Sequence, residues 1–385
     1  MALFAMLALS ACSSDNSQSE TDSQSVVVVF RLSIPRTEAA TTRSTTEGVA
    51  AGNELEHRLS NLHVVLYDRA GKFIAQEYGL RVTPLSTAAG NYEYTANVEV
   101  SMEVPEAYRT TTPFQGELVV YANTDIPAST NYVAAGIQDL TFSLTSNTAP
   151  DALPMWGMRS ITSTDKVFLT VGTRNDLTSG APIDLMRSVA KVTVDLTQEM
   201  KDDGWTFEDL WLTHYNTKGY VLPKGYYSGT AVSYTFNSAT TLMTYTGDNN
   251  DRFNPYTVTT TGTDGTTTTT INSEARDNLQ FKFKAGTAAT EGLPLYIPEY
   301  DNTTSGVTPA TIRLKLMHNN DSEGTTYELK FANYNGKDDH ASDTKFNIVR
   351  NTWYQYHVYK LSEHKIGVML TVKPWYYVEH DPIVM

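Results

Sequence analysis

The sequence predicts a mainly β protein made of two antiparallel β-sandwich domains of the type described below, and three observations carry that expectation. Polar and apolar residues alternate with a period of two in segment after segment, as strands with one wet face require. Helical periodicity is scarce, with faint candidates only near Asn131 to Leu144 and Glu199 to Leu212. The length, 385 residues with 40% hydrophobic content, fits two domains of ~150 to 200 residues better than one core.

Taken in order, the chain begins with an uncharged apolar run, Met1 to Ala11, that stops at Cys12. Such a run is too short to span ~30 Å of hydrocarbon and suits the apolar region of an export signal. Leu9-Ser10-Ala11-Cys12 resembles a bacterial lipobox, in which the cysteine becomes the first mature residue and carries acyl chains. Residues 1–11 are therefore read as a lipoprotein signal peptide and Cys12 as the lipidation site; a stray thiol in a disordered terminus is the alternative. Ser13, where an Asp would hold a lipoprotein back, resembles the pattern that lets one proceed to the outer membrane. No Lys or Arg precedes the apolar run, so the true translation start is expected upstream. Residues 12–25, rich in Ser, Gln, Asp and Asn, have little to bury and are read as a flexible tether.

The amino-terminal sandwich is expected over residues 26–184. Its first strand is distinctive: Val26, Val28, Phe30, Leu32 and Ile34 alternate with Val27, Val29, Arg31 and Ser33, so one side is wholly apolar. Further strands are expected around Leu62/Val64/Leu66, Val98/Val100/Met102 and Leu118/Val120. The turn-rich stretch Gly172 to Pro182 is where the domains are expected to part.

The carboxy-terminal sandwich is expected over residues 185–385, opening with Ala190-Lys191-Val192-Thr193-Val194-Asp195-Leu196. Alternation returns at Leu279/Phe281/Phe283, Ile312/Leu314/Leu316, Tyr327/Leu329/Phe331, Tyr354/Tyr356/Val358 and Ile366/Val368/Leu370/Val372. Polar partners such as Gln280, Lys282, Arg313 and Lys315 give these sheets a solvated side. The threonine run Thr266 to Thr270 reads as a soluble loop, with an exposed β-ribbon as the alternative.

Several function classes are disfavoured. With 43 acidic against 29 basic residues, formal charge −14, the chain offers no basic patch for nucleic acid. A single cysteine excludes an internal disulfide, a Cys₂His₂ or Cys₄ zinc site and a thiol-ligated cluster. The eight histidines form neither HExxH nor a helix-face pair and read as surface or satisfied residues. No Walker-type loop or G-x-S-x-G elbow occurs; Ser163-x-x-Lys166 and Ser342-x-x-Lys345 have no supporting second motif. Asn319, Asp321 and Glu323 before Gly324 mimic the start of a calcium loop, but its twelfth position is Lys330. Asp248 and Asp251 have only amide neighbours, and both places read as solvated loops. No metal, cofactor or catalytic residue is assigned. The 23 tyrosines include the pairs Tyr226/Tyr227 and Tyr376/Tyr377, which could form an adhesive aromatic surface, although β-propensity accounts for most of them.

Taken together, the lipobox at Cys12, the strand Val26 to Ile34 with Arg36 and Arg43 after it, and Leu153-Pro154-Met155-Trp156-Gly157 resemble the fimbrillin family. So do the segment Leu185 to Val192, Tyr296-Ile297-Pro298-Glu299-Tyr300, Arg350-Asn351-Thr352-Trp353-Tyr354 and Val372-Lys373-Pro374-Trp375. These are the lipoprotein pilins of Bacteroidales type V pili. The resemblance implies two β-sandwich-like domains, an outer-membrane lipoprotein precursor that ends in a cell-surface fimbria, and assembly with other pilin subunits after an arginine-specific protease removes the first strand.

The residues give that scheme a physical basis of their own. Five buried side chains at ~1.5 to 3 kcal/mol each hold the first strand by on the order of 10 kcal/mol, so it should stay while tethered. Cleavage in the loop Arg36 to Gly48 lets it dissociate and lets another strand add to the vacated edge. Arg43 is the preferred position and Arg36, next to Pro35, the second. Ile366, Val368, Leu370 and Val372 repeat the apolar spacing and mark a candidate donor strand over 366–372; the other reading makes it the last strand of its own domain, and the subunit a cap or tip. The residues after Trp375 are a further candidate for contact with the next subunit. Two rival functions remain: a monomeric outer-membrane lipoprotein that binds glycans on an aromatic platform, and a hydrolase with two convergent carboxylates.

Overall fold

A computed structural model describes residues 23–35, 54–78, 81–85, 92–124, 141–143, 152–178, 181–213, 215–216, 218–222, 233–237, 242–246, 257–261, 267–271, 273–274, 294–300, 302–303, 309–319, 321, 323–332, 345–362 and 365–375. The protein is mainly β, as the alternation predicts, and its strands form two sandwiches.

The first comprises β1 (Ser23–Pro35), α1 (Glu54–His57), β2 (Leu62–Asp68), β3 (Phe73–Tyr78), β4 (Arg81–Leu85), β5 (Tyr92–Pro105), β6 (Gly116–Ala122), β7 (Thr141–Ser143), β8 (Met155–Ile161), β9 (Arg174–Asp176), β10 (Ile183–Asp184) and β11 (Met186–Arg187). One sheet runs β10-β1-β5-β4, with β9 also on β1; the other runs β11-β8-β6-β2-β3. The strand β7 stands apart and pairs with a strand of the second half of the chain. Alternate residues of the two sheets, among them Val28, Phe30, Val98, Val100, Leu118 and Val120, meet in one core.

The second comprises β12 (Ala190–Leu196), α2 (Gln198–Asp202), β13 (Trp205–Thr213), β14 (Tyr215–Asn216), β15 (Lys218–Tyr220), β16 (Ser233–Asn237), β17 (Leu242–Thr246), β18 (Thr257–Thr261), β19 (Thr267–Ile271), β20 (Ser273–Glu274), β21 (Leu295–Ile297), β22 (Thr311–His318), β23 (Thr325–Lys330), β24 (Thr352–Ser362) and β25 (Lys365–Pro374). Sheets β21-β12-β24-β25 and β13-β22-β23 enclose a core that includes Val192, Leu212, Leu314 and Tyr356.

The structure departs from the sequence expectations in several places. The stretch Glu199 to Leu212 is no helix beyond α2: Gly204, at φ +88°, turns the chain into β13, where Trp205, Leu210 and Leu212 are buried. Of the other helical candidate, Thr141–Ser143 is the strand β7, and 131–140 lie outside the described residues. The threonine run is a ladder rather than a loop, because Thr267–Ile271 pairs with Thr257–Thr261; β-branched threonine suits an extended backbone. Not every pairing is antiparallel: β12 lies parallel to β24 across a long connection, and β1 lies parallel to β9 and β10. Nor does every sheet have a wet face. In β2 and β6 the residues between the predicted core positions, Val65, Tyr67, Val119 and Tyr121, are buried as well.

Candidate functional site: the first strand and its clasp

The apolar side of β1 faces inward throughout, with Val26, Val28, Phe30, Leu32 and Ile34 all at 0 or 1% exposure. The strand is not at an edge. On one side it forms a long antiparallel ladder with β5, from Ser23 opposite Pro105 to Ile34 opposite Tyr94. On the other it meets residues 170–178 and 181–185, which act as a clasp.

The clasp is built from Gly172 to Pro182, the stretch expected to separate the domains, and its neighbours. Arg174–Asp176 lies parallel to Val27–Val29, and Ile183–Asp184 lies parallel to Leu32–Ser33. Between them the clasp satisfies the polar backbone groups of β1 one by one. The Asn175 Nδ2 donates to the Val27 carbonyl at 2.9 Å, and the Leu177 amide donates to the Val29 carbonyl at 2.8 Å. The Arg31 amide donates to Thr178 Oγ1 at 3.3 Å, and the Leu185 amide donates to the Ser33 carbonyl at 2.8 Å. A buried strand needs that accounting because each orphaned group costs as much as a lost hydrogen bond.

Asn175 also shapes the clasp itself. Its Nδ2 reaches the carbonyls of Thr170 and Thr173, each at 3.0 Å, and its Oδ1 accepts the Thr170 amide at 3.0 Å. Ser33, on the second side of β1, is fully buried and donates its hydroxyl to Asp184. Burial pushes the Asp184 carboxyl above its ordinary range, against the Ser33 hydrogen bond, which pulls it down. Outside, Arg174 on β9 pairs with Glu99 on β5, two exposed side chains that reach each other across β1. Gly157 on β8 lets the chain past this point: a Cβ there would lie 2.6 Å from the Asp184 carbonyl oxygen.

The ladders of the first sandwich continue as far as β11, and those of the second start at Ala190. The carboxy-terminal strand β25 is laddered on β24, from Ile366 opposite Lys360 to Pro374 opposite Thr352. Val372 is buried, whereas Ile366, Val368 and Leu370 are half-buried against the second core and Met369 is 54% exposed. Thus β25 has the spacing of β1 without its depth. Cys12, Arg36 and Arg43 lie outside the described residues, as do Tyr226, Tyr227, Tyr376, Tyr377, Asp248, Asp251 and the Leu279 to Phe283 segment.

Two other residues singled out by sequence close turns. Ser163 sits in a short turn closed by Thr162 and Asp165, whose carboxylate accepts the Thr162 amide at 2.7 Å. Asp321 accepts the Glu323 amide at 3.0 Å and so closes the turn between β22 and β23. Among the histidines, His63 is buried, stacked on Tyr78 at 4.0 Å and within 3.2 Å of Gln76 Oε1 through its Nε2. The clasp residues Asn175, Thr178 and Asp184 escaped sequence reasoning because Gly-, Asn- and Thr-rich composition signals a turn and does not say what the turn packs against.

A family model for fimbrillin-A associated anchor proteins Mfa1 and Mfa2 matches residues 20–381. Among solved structures, the tip fimbrial protein Mfa3 from Porphyromonas gingivalis with C-terminal truncation is 14% identical, with 91% of this chain and 100% of that chain covered and a TM-score of 0.48. A fimbrilin (fimA) from Porphyromonas gingivalis is 16% identical over 92% of this chain and 98% of that one, with a TM-score of 0.49. A fimbrial assembly protein from Parabacteroides distasonis is 13% identical over 90% and 95%, with a TM-score of 0.42. No curated protein matches the chain. The match over 20–381 settles the family: this chain belongs to the fimbrillin-A associated anchor proteins Mfa1 and Mfa2, fimbrillin-type structural components of cell-surface fimbriae.

Proposed function

We propose that the chain is exported as an outer-membrane lipoprotein precursor acylated at Cys12 and becomes a fimbrial subunit by donor-strand exchange. An arginine-specific protease cuts the segment after β1, at Arg43 in preference to Arg36. The fragment bearing β1 then leaves, and a strand from another pilin subunit fills the groove between β5 and the clasp. The assembled fimbria supports adhesion. The role is structural, and no residue is assigned a catalytic part.

The observation that supports this reading is the place of β1, which is laddered on both sides and supplies five fully buried side chains to the first core. It is nonetheless the first described strand of the chain, so one cut behind it separates it from the rest of the sandwich. Apart from the Asp184 carboxylate that holds the Ser33 hydroxyl, what the clasp and β5 offer to β1 is mostly hydrogen bonding to its backbone, in part from the side chains of Asn175 and Thr178, and any strand with the same apolar spacing can accept it.

The test uses the full-length protein, an arginine-specific protease and a synthetic peptide of Lys365 to Pro374, chosen because Ile366, Val368, Leu370 and Val372 have the required spacing. Cleavage should fall between Arg36 and Gly48, the amino-terminal fragment should dissociate, and the cut protein should take up the peptide, as read by native mass spectrometry. A cut protein that keeps its fragment in the presence of excess peptide would show that β1 is a permanent strand and would overturn the proposal.

A further inference from the structure

A heavily bonded side-chain cluster away from the clasp surrounds Glu56, a carboxylate 1% exposed on α1. Its Oε1 accepts Lys191 Nζ at 2.6 Å and the Tyr296 hydroxyl at 2.9 Å. Its Oε2 accepts the indole Nε1 of Trp375 at 3.2 Å, and its backbone carbonyl accepts Arg187 Nε at 2.9 Å. Trp375 is itself fully buried. Its ring stacks on Tyr296, centroids 5.7 Å apart and planes 11° apart, and the Arg187 guanidinium lies 4.5 Å above it. The Trp375 amide donates to the Asn351 carbonyl at 2.7 Å.

The two ends of this cluster have unusual places in the chain. Trp375 is the residue immediately after β25, the strand with the donor-like spacing. Glu56 belongs to the first described element after residues 36–53, the segment that carries Arg36 and Arg43. The cluster therefore ties the carboxy-terminal strand to the part of the first sandwich that remains after the proposed cut.

We propose that Glu56 and Trp375 form a latch that keeps β25 in its own subunit, before and after processing, so that this subunit accepts a strand and gives none. This rests on the donor-strand reading above and deepens it. Withdrawing β25 drags Trp375 out from between Arg187 and Tyr296 and strips Glu56 of a donor in a site closed to water, a loss that partners already buried cannot make good. Along β25 the ladder to β24 is backbone hydrogen bonding that a groove in a neighbour could replace, and three of the four apolar residues with donor-like spacing are only half-buried. The hold is concentrated at its end. A subunit with an open socket and a latched last strand terminates a filament.

Hydrogen exchange on the uncut full-length chain tests the latch independently of strand exchange. In the wild type, the amides of β25 that ladder with β24 should be about as protected as those of β12. In Trp375→Ala they should exchange roughly 100-fold faster, while the β1–β5 ladder stays protected and reports an intact first sandwich. Trp375→Phe, which keeps an aromatic ring but removes the indole donor and part of the ring volume, and Glu56→Gln should each give roughly tenfold and decide the matter if Trp375→Ala does not fold. Protection of β25 unchanged in all three variants overturns the latch. After arginine-specific cleavage, the wild type should remain monomeric without added peptide and Trp375→Ala should form a ladder of oligomers. A wild-type ladder in which β25 loses its protection also overturns the proposal. Failure of the cut protein to take up peptide would instead count against the donor-strand reading and leave the exchange result standing.

Discussion

Phe30 gives the sharpest measure of how the first strand is held. It sits near the middle of β1, 1% exposed, with Val28 and Leu32 on either side in the same core. Truncation to alanine removes a buried aromatic and leaves a cavity that the flanking sheet cannot close, a loss of about 3 to 5 kcal/mol. At 1.4 kcal/mol per tenfold, that weakens retention of the severed strand by roughly 100- to 3,000-fold. Val29, half-buried on the opposite side of the same strand, is the matched control, because Val29→Ala should cost about 1 kcal/mol or less. The assay is dissociation of a fluorescently labelled amino-terminal fragment after arginine-specific cleavage of each full-length variant. If Phe30→Ala and Val29→Ala release the fragment at the same rate, the apolar side of β1 is not what holds it, and the account of the groove fails.

Two further tests probe the same sandwich. Asn175→Ala leaves the Val27 carbonyl and two clasp carbonyls without their donor, at a cost of about 1 to 3 kcal/mol, and should speed fragment release in the same assay; unaltered release would show that the clasp does not grip β1. The second concerns two buried groups that titrate in opposite senses. Burial lowers the His63 pKa to about 4 despite its hydrogen bond to Gln76, and burial raises the Glu117 pKa to about 7. The folded protein therefore binds fewer protons than the unfolded chain at His63, so that contribution is present above pH ~6.5 and is lost as pH falls toward 4. It binds more protons at Glu117, so that contribution is present below pH ~4.5 and is lost as pH rises through 7. Each effect is worth about 3 kcal/mol, and they largely cancel between pH ~4.5 and ~6.5. Relative to wild type in urea melts, Glu117→Gln should gain stability as pH rises toward 7, and His63→Gln should gain stability as pH falls toward 4. Variant-minus-wild-type differences that do not change with pH would refute the assignment.

Much of this architecture is legible in the sequence because a strand with one buried face writes a period of two into its residues. The apolar side of β1, the core positions of β5, β12, β22 and β24, and the mainly β class all follow from that period. What sequence misses has a common cause, which is that periodicity describes a strand and not its neighbours. Nothing in Arg174-Asn175-Asp176 announces that a turn-like tripeptide ladders with the first strand of the chain, since the partners stand far apart and the contacts are mainly backbone. Val65, Tyr67, Val119 and Tyr121 are buried on the side where polar residues were expected, and their near-continuous apolar runs were the available signal. Glu56 is illegible for the opposite reason: its place in the fold depends on Lys191, Tyr296 and Trp375, which only the tertiary structure brings together.

In the proposed scheme, the position of β1 makes cleavage, rather than any change at the groove, the step that would set it loose. A cut among residues 36–53 touches neither the ladder to β5 nor the clasp, so it takes no contact away from the strand. What it removes is the covalent link that makes return of a lifted strand an intramolecular event at a high effective concentration. Once severed, the strand competes as an ordinary ligand against any other of like spacing, and its affinity alone sets how long it stays. The polarity of its replacement is fixed by the same geometry. A strand running in the direction of β1 restores the antiparallel ladder along the whole of β5, whereas a reversed strand would have to meet that long edge in parallel, the weaker pairing per residue. The short parallel ladders to β9 and β10 offer too few pairs to offset that loss. The groove thus specifies direction through the longer of its two edges and tolerates sequence through its reliance on backbone groups.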